Sequence, residues 1–265
     1  MQGESAVRFE SVGFSYEAFD DEEVPTPVFS DLDLELPYGM VSFVGQNATG
    51  KSTALLLASG RLRPDSGVVT LLGRDTSELD EEEERNSLAS FVYQNMEFET
   101  EFPVVDLFAH VFENGFHEQK DAAIVEELIA VLELSGALGS RLQDLSKGEM
   151  QRSILAFSLL YGSGAVMMDE PIFALEDYQK QRALEYLKDF SHRTATPVYF
   201  SLHELDLSRL YSDHVVMFYR DERNPWIGPV DEVLTRGLIE DAFEYPAAML
   251  HQRESLYRKH LLKST

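Results

Sequence analysis

Hydrophobic and polar positions along the chain fall into two periods. Val7-Arg8-Phe9-Glu10-Ser11-Val12 and Leu32-Asp33-Leu34-Glu35-Leu36 run with period two, the second ending at Pro37-Tyr38-Gly39, and both predict half-exposed antiparallel strands. Val41-Ser42-Phe43-Val44 is a short apolar run, Gly67 to Gly73 is a strand bounded by glycines, and Ala89 to Tyr93 is a further candidate. Ala165-Val166-Met167-Met168 is apolar without interruption, as expected of a strand buried on both faces, and Pro197-Val198-Tyr199-Phe200 predicts another. Between these, Ile124, Leu128, Val131 and Leu132 recur at three- and four-residue spacing within a helical stretch from Val104 to Leu138, and Tyr178 to Phe190 has helical composition. Strands alternating with helices predict a mainly parallel sheet, in which ligands bind beyond the carboxyl ends of the strands. Two acidic runs interrupt the pattern. Glu17 to Glu23, followed by Pro25 and Pro27, reads as a solvated loop, and Glu78 to Glu84 is open between the start of a helix and a loop.

Candidate chemistry sits where the second kind of strand ends. Gly45-Gln46-Asn47-Ala48-Thr49-Gly50-Lys51-Ser52-Thr53 follows the apolar run ending at Val44 and precedes Ala54-Leu55-Leu56-Leu57-Ala58, matching Gly, four residues, Gly-Lys-Ser. A strand feeding such a turn into a helix points several backbone N–H groups and the positive end of the helix dipole at one place, which suits a phosphate chain. Lys51 would reach the β- and γ-phosphates as a point charge, and the Ser52 hydroxyl would complete the coordination of Mg²⁺. At the end of the buried run, Asp169-Glu170-Pro171 sets two carboxylates side by side, and the strand ending at Phe200 delivers Ser201-Leu202-His203 to the same edge.

Composition narrows the partners. A chain of 265 residues can bury one substantial core, so one domain with subdomains is expected. The 47 acidic residues against 22 basic ones give a net charge of −25, which disfavours a direct grip on nucleic acid or anionic lipid. Without cysteine, disulfides and thiolate metal sites are excluded. Met1 to Ser5 carries neither a basic flank nor an apolar run, so no signal peptide is expected there. The longest uncharged stretch, Ser153 to Met168, is shorter than a membrane span, contains Gly162-Ser163-Gly164, and reads as helix, turn and buried strand.

A family resemblance rests on one further segment. Leu145-Ser146-Lys147-Gly148-Glu149-Met150-Gln151-Arg152 resembles the signature Leu-Ser-Gly-Gly-Gln of the nucleotide-binding subunits of ATP-binding cassette (ABC) transporters, and Leu145 stands 24 residues ahead of Asp169, as in that family. The likeness covers nearly the whole chain. It implies an α/β P-loop NTPase core with an antiparallel β subdomain over 1–94 and 145–236, a helical subdomain over 95–144, and a C-terminal helical tail over 237–265, all within one ABC ATPase domain over 1–265.

The resemblance also implies roles. ATP would be held by Gly45, Asn47, Ala48, Thr49, Gly50, Lys51, Ser52 and Thr53, with Tyr16 of Gly13-Phe14-Ser15-Tyr16 stacked on the adenine and Phe14 and Phe19 as neighbouring candidates for that stack. Mg²⁺ would be held by Ser52, Gln94 and, largely through water, Asp169. Glu170 would be the general base or water-orienting group. Gln94 resembles the Q-loop residue that reports the γ-phosphate to the helical subdomain and a membrane partner, and His203 resembles the switch histidine that contacts the γ-phosphate. Ser146, Lys147, Gly148 and Glu149 would close over ATP held by a second copy or a related subunit, in a head-to-tail dimer.

Four positions depart from the family pattern. Ala48 stands where glycine is frequent and is expected to fit with a negative φ. Lys147 and Glu149 replace a glycine and a glutamine of the signature, and Glu176, followed by Asp177, falls where the D-loop aspartate is expected. Communication between two ATP sites is the property most exposed to these changes.

By the same resemblance, the chain would be an ATPase powering separate membrane permease subunits from the cytoplasmic face, touching the membrane only through them. Gly228 to Thr235 followed by Leu238 to Phe243 resembles the region after the last strand in importers of iron chelates and cobalamin, and otherwise reads as a turn and an amphipathic helix. Arg253, Arg258, Lys259 and Lys263 read as a solvated helix face. Two other readings stay open: a soluble cassette protein clamping a macromolecule, and a weakly catalytic nucleotide-sensing module.

Overall fold

The computed structural model describes residues 5–17, 26–94, 96, 99–117, 121–221 and 224–246. Phe19, most of the acidic stretch before Pro25, and the basic positions Arg253, Arg258, Lys259 and Lys263 lie outside the described residues.

Strands β1 (Ser5–Ser15) and β2 (Pro27–Pro37) pair antiparallel, as their alternation predicts. The alternation of β1 breaks at Ser11, whose φ of 49° accompanies a register shift. Glu10 and Ser11 therefore both face solvent before Val12 turns inward. Strand β3 (Met40–Val44) is buried throughout and runs into helix α1 (Lys51–Ala58). Strands β4 (Ser66–Leu71) and β5 (Arg74–Asp75) complete an antiparallel sheet in the order β2-β1-β4-β5.

The second acidic run divides between the two outcomes left open for it. Thr76–Glu78 forms a 3₁₀ turn capped by Asp75, and helix α2 (Glu82–Leu88) opens with Glu82, Glu83 and Glu84, where carboxylates favour the positive helix end. Strand β6 (Ala89–Val92) follows, and the long helical stretch resolves into α3 (Val104–Asn114) and α4 (Ala123–Val131). The chain continues through α5 (Lys147–Leu160), β7 (Ala165–Met168), α6 (Asp177–Thr194), β8 (Val198–Ser201), α7 (Leu205–Tyr211) and β9 (His214–Met217). It then forms β10 (Trp226–Pro229), α8 (Val230–Val233) and α9 (Arg236–Phe243).

Sequence patterning misses β9 and β10. Gly228-Pro229 reads as a turn because proline cannot donate to a ladder, yet at the sheet edge no donor is required of it. Pairing with His214 and its successors makes it a strand.

The larger sheet has the order β10-β9-β3-β8-β7-β6, parallel except for the edge strand β10. Alternate residues of its central strands divide between two cores. Val166, Met168, Val198 and Phe200 face the helices α3 to α6 with Phe108, Leu128 and Leu155, while Ala165, Met167, Tyr199 and Phe43 face α1 and the antiparallel sheet with Phe9 and Leu55. Burying each of the Val, Leu, Met and Phe side chains contributes about 1.5–3 kcal/mol. The Tyr199 hydroxyl, deep between the sheets, donates to Pro37 O at 2.9 Å, which satisfies the one polar atom that this packing encloses on that side chain. The architecture is that of an α/β P-loop cassette. Because β3, β8, β7 and β6 are successive parallel neighbours, their carboxyl ends open at one edge.

Candidate active site

The phosphate loop is built by the turn between β3 and α1. Gly50 takes φ 94° as N-cap of α1, and a Cβ there would lie 2.6 Å from the Phe29 ring, so only glycine serves. No side chain caps this helix end, which leaves its first N–H groups to a ligand. Ala48 has φ 61°, against the negative value its identity predicts. The turn demands the left-handed conformation there, and because Ala48 is exposed its methyl meets no crowding, so the cost is backbone strain of about 1–2 kcal/mol.

Lys51 is buried, and its Nζ donates to Gly45 O at 3.0 Å and Gln46 O at 2.7 Å. Burial pushes its ammonium down to about 8, opposed by the negative charges of Glu170 and Asp169. A cation folded against its own loop, beside two carboxylates, is poised for a polyanion. Ser52 is exposed and Thr53 buried, and the Tyr16 hydroxyl lies 3.1 Å from Thr53 Oγ1. Tyr16 is 49% exposed, whereas Phe14 is only 6% exposed and meets Tyr16 edge-on at 5.0 Å. Phe14 therefore offers no free face for stacking, and Tyr16 does.

The catalytic candidates come together at the ends of β6, β7 and β8. Gln94 Nε2 donates to Glu170 Oε2 at 2.9 Å, and the His203 Nε2–H donates to Glu170 Oε1 at 2.5 Å. The His203 hydrogen bond is the largest influence holding the Glu170 carboxyl below the usual carboxylate range. Burial opposes it, while the charges of His203 and Lys51 and the Gln94 amide assist. Glu170 also has φ 50°, a strained conformation for a residue with a Cβ. Its N–H donates to Ser201 Oγ at 2.9 Å, and the Ser201 hydroxyl donates to Asp169 Oδ1 at 2.5 Å. Ser201 is a site residue to which sequence patterning assigns no function. Only the strand register, which pairs Met168 with Phe200, sets it beside Asp169.

The signature segment begins α5. Ser146 is the N-cap: its Oγ accepts from Glu149 N at 3.3 Å, while Ser146 N donates to Glu149 Oε2 at 3.0 Å. This is a capping box, for which glutamate and glutamine serve equally. The Ser146 hydroxyl also lies 2.6 Å from Glu149 Oε2, and these bonds hold the Glu149 carboxyl below its ordinary range. Replacing glutamine by Glu149 thus keeps the helix start and adds a negative charge, with exposed Lys147 next to it. A Cβ on Gly148 would come within 3.2 Å of Ala174 O, so the signature packs closely on the turn after β7. Among the described residues, no hydrogen bond joins Ser146–Glu149 to the phosphate loop.

Glu176 is the N-cap of α6, with its N–H donating to Gln179 Oε1 at 3.2 Å, and Asp177 opens the helix. The same helix reaches the end of α4, where Glu133 accepts from Tyr178 Oη at 3.0 Å and Arg182 Nη1 at 2.8 Å.

An ABC transporter family model matches residues 29–173. The cobalamin import ATP-binding protein BtuD of Halobacterium salinarum is 30% identical over 234 residues, 87% of this chain and 58% of that protein. The chain therefore spans little more than half that relative's length. The petrobactin import ATP-binding protein FatE of Bacillus anthracis is 27% identical over 217 residues, 80% of this chain and 86% of its own. Among solved structures, an ATP-binding cassette in a dimeric post-hydrolysis state bound to ADP and Pi matches with a TM-score of 0.73 at 19% identity, covering 84% of this chain and 98% of that one.

Proposed function

The chain belongs to the ABC transporter family, and on that premise we propose that it binds and hydrolyses ATP to power a transporter whose membrane-spanning subunits are separate chains. The observation that carries this reading is the convergence on Glu170 of Gln94 and His203, with Lys51 near enough to bias the same carboxyl.

The phosphates of ATP fit the uncapped N-terminus of α1, where Lys51 exchanges two loop carbonyls for phosphate oxygens. Tyr16 stacks on the adenine. Glu170, ionised at neutral pH because its carboxyl titrates low, accepts a hydrogen bond from the attacking water and orients it toward the γ-phosphate. His203 and Gln94 hold that carboxylate in place and lie where the γ-phosphate arrives.

Ser52, Asp169 and Gln94 offer only hard oxygen donors, and among the described residues no cluster of three His, Asp or Glu side chains stands ready to cage a metal. That donor set fits Mg²⁺, which takes few protein ligands and completes its shell with phosphate and water. When bound, the ion neutralises and orients phosphate charge.

Ser146 to Glu149 make no hydrogen bond to the loop of their own chain among the described residues, and in this reading they serve a second ATPase subunit, closing over its nucleotide. Hydrolysis then opens the dimer and switches the attached permease. Exposed Tyr93, Phe102 and Val105, close to Gln94 in sequence, supply the surface for the permease. Residues 95–144 act as the helical subdomain between that surface and the signature, within one ABC ATPase domain. Among the described residues no helix is long and apolar enough to cross a membrane, and we assign the chain to the cytoplasmic face, held there by the permease. Relatives named for cobalamin and petrobactin import support a metal-chelate or cobalamin cargo.

The test is steady-state ATPase of the purified chain with and without its co-expressed membrane subunits in lipid. Severalfold stimulation by those subunits is expected, and equal rates would favour a soluble clamp instead.

A further inference from the structure

We propose that Ser201 is a positioning residue for ATP hydrolysis: its hydroxyl ties the Asp169 carboxylate to the backbone of Glu170 and so fixes the direction in which the Glu170 side chain points. This inference rests on the assignment of Glu170 to hydrolysis.

Ser201 ends β8, the strand between β3 and β7. It pairs with Phe43, two residues before Gly45, and lies one step beyond the pairing of Met168 with Phe200, opposite Asp169. It is 1% exposed, so its hydroxyl must be satisfied within the protein. Both halves of that hydroxyl are used. The proton goes to Asp169 Oδ1 at 2.5 Å, and the oxygen receives the Glu170 N–H at 2.9 Å.

The second bond matters because of the backbone it holds. Glu170 sits at φ 50°, a conformation that an L-residue leaves unless its surroundings enforce it. Among the described residues, the only hydrogen bond that the Glu170 N–H donates goes to this serine oxygen. With the turn held, the carboxylate reaches Gln94 and His203 at once. Without it, φ relaxes toward negative values and both contacts lengthen. Ser201 touches neither the phosphate loop nor the Glu170 carboxylate, so its loss should leave Mg²⁺-free nucleotide binding alone while slowing hydrolysis.

The purified protein is assayed for ATPase at saturating Mg²⁺ as wild type, Ser201→Ala, Ser201→Val and Ser201→Thr, with ATP affinity measured separately by equilibrium binding without Mg²⁺. Alanine and valine are expected to lower kcat at saturating Mg²⁺ roughly 10- to 100-fold with the Mg²⁺-free Kd for ATP within about threefold of wild type, and threonine, which keeps the hydroxyl, to stay within about threefold in kcat. In a Glu170→Gln background, adding Ser201→Ala should slow single-turnover hydrolysis no further. Valine and threonine have nearly the same shape, so a variant that folds poorly would lower both alike. Equal losses for those two, a kcat for Ser201→Ala within twofold of wild type, or an undiminished effect in the Glu170→Gln background each overturn the inference alone. A wild-type chain that neither binds nor hydrolyses ATP overturns the assigned function as well.

Discussion

His203 Nε2 lies 2.5 Å from Glu170 Oε1, a bond between two residues 33 apart in sequence on separate strand ends. In the proposed mechanism this bond joins the residue that would contact the γ-phosphate to the carboxylate that would orient water. Glu170→Gln keeps the shape and the Gln94 contact but cannot accept a proton, so ATP affinity should stay within a few-fold while kcat falls by about 10²–10⁴. His203→Ala should lower kcat less and let the Glu170 carboxyl rise toward 4.5. Because the folded-state value is depressed, the stability it contributes is present above the unfolded value and lost as pH falls through the folded one. The difference in unfolding free energy between wild type and His203→Ala should therefore shrink on acidification below pH 4.5. Undiminished steady-state ATPase in Glu170→Gln would remove this residue from the mechanism.

Lys51 should make nucleotide binding a proton-linked event. Its ammonium titrates near 8 in the free protein, against 10.5 unperturbed, because burial disfavours its charge. Phosphate oxygens restore that charge, so ATP binding at pH 8.5 to 10 should take up close to one proton. Calorimetry in two buffers of different ionisation enthalpy reads this directly. Binding heats that do not depend on the buffer would mean the ammonium is not buried before ATP arrives. In the nucleotide-free protein the sign is opposite to that of a paired lysine: the cost of burying the charge is fully present below about pH 8 and is relieved as pH rises toward 10.5.

Ser146 and Glu149 cap α5 reciprocally. Ser146→Ala should cost about 1 kcal/mol in chemical denaturation. Glu149→Gln preserves the box and should leave stability within about 0.5 kcal/mol, while removing a carboxylate from the surface proposed to face a second nucleotide. ATP-dependent dimerisation, followed by light scattering, should tighten in Glu149→Gln. A weaker dimer would mean that the charge itself is used at the interface.

Ala48 carries strain that glycine would not. Ala48→Gly should raise stability by about 0.5–1 kcal/mol after allowing for the greater freedom of glycine in the unfolded chain. A fall in the thermal midpoint would show that the left-handed turn is not the resting shape of the loop.

Tyr16 is available to a base while its hydroxyl is near Thr53. Tyr16→Ala should weaken ATP binding by about 1–3 kcal/mol, and Tyr16→Phe, which keeps the ring, by less than threefold in Kd. Equal weakening in both variants would assign the affinity to the hydroxyl instead.

The chain's own order of residues determined which chemistry could exist here and roughly where it would lie. Gly45 to Thr53 between an apolar run and a helix marks a candidate anion site, because local backbone geometry alone orients the donors. Asp169-Glu170 after four apolar residues likewise marks a sheet edge, since two carboxylates cannot follow a buried strand anywhere else. What sequence could not decide were the relations between strands. That β8 lies between β3 and β7 is a fact of the whole sheet, and only this order sets the Ser201 hydroxyl between Asp169 and Glu170 and brings His203 to the same carboxylate. The edge strand Trp226–Pro229 exists only because His214–Met217 pairs with it. The left-handed turns at Ala48 and Glu170 oppose local preference, so nothing in the neighbouring residues predicts them. At Glu170 the conformation is held by the neighbouring strand, whose register is fixed over a long separation in sequence, and at Ala48 by the turn that enters α1.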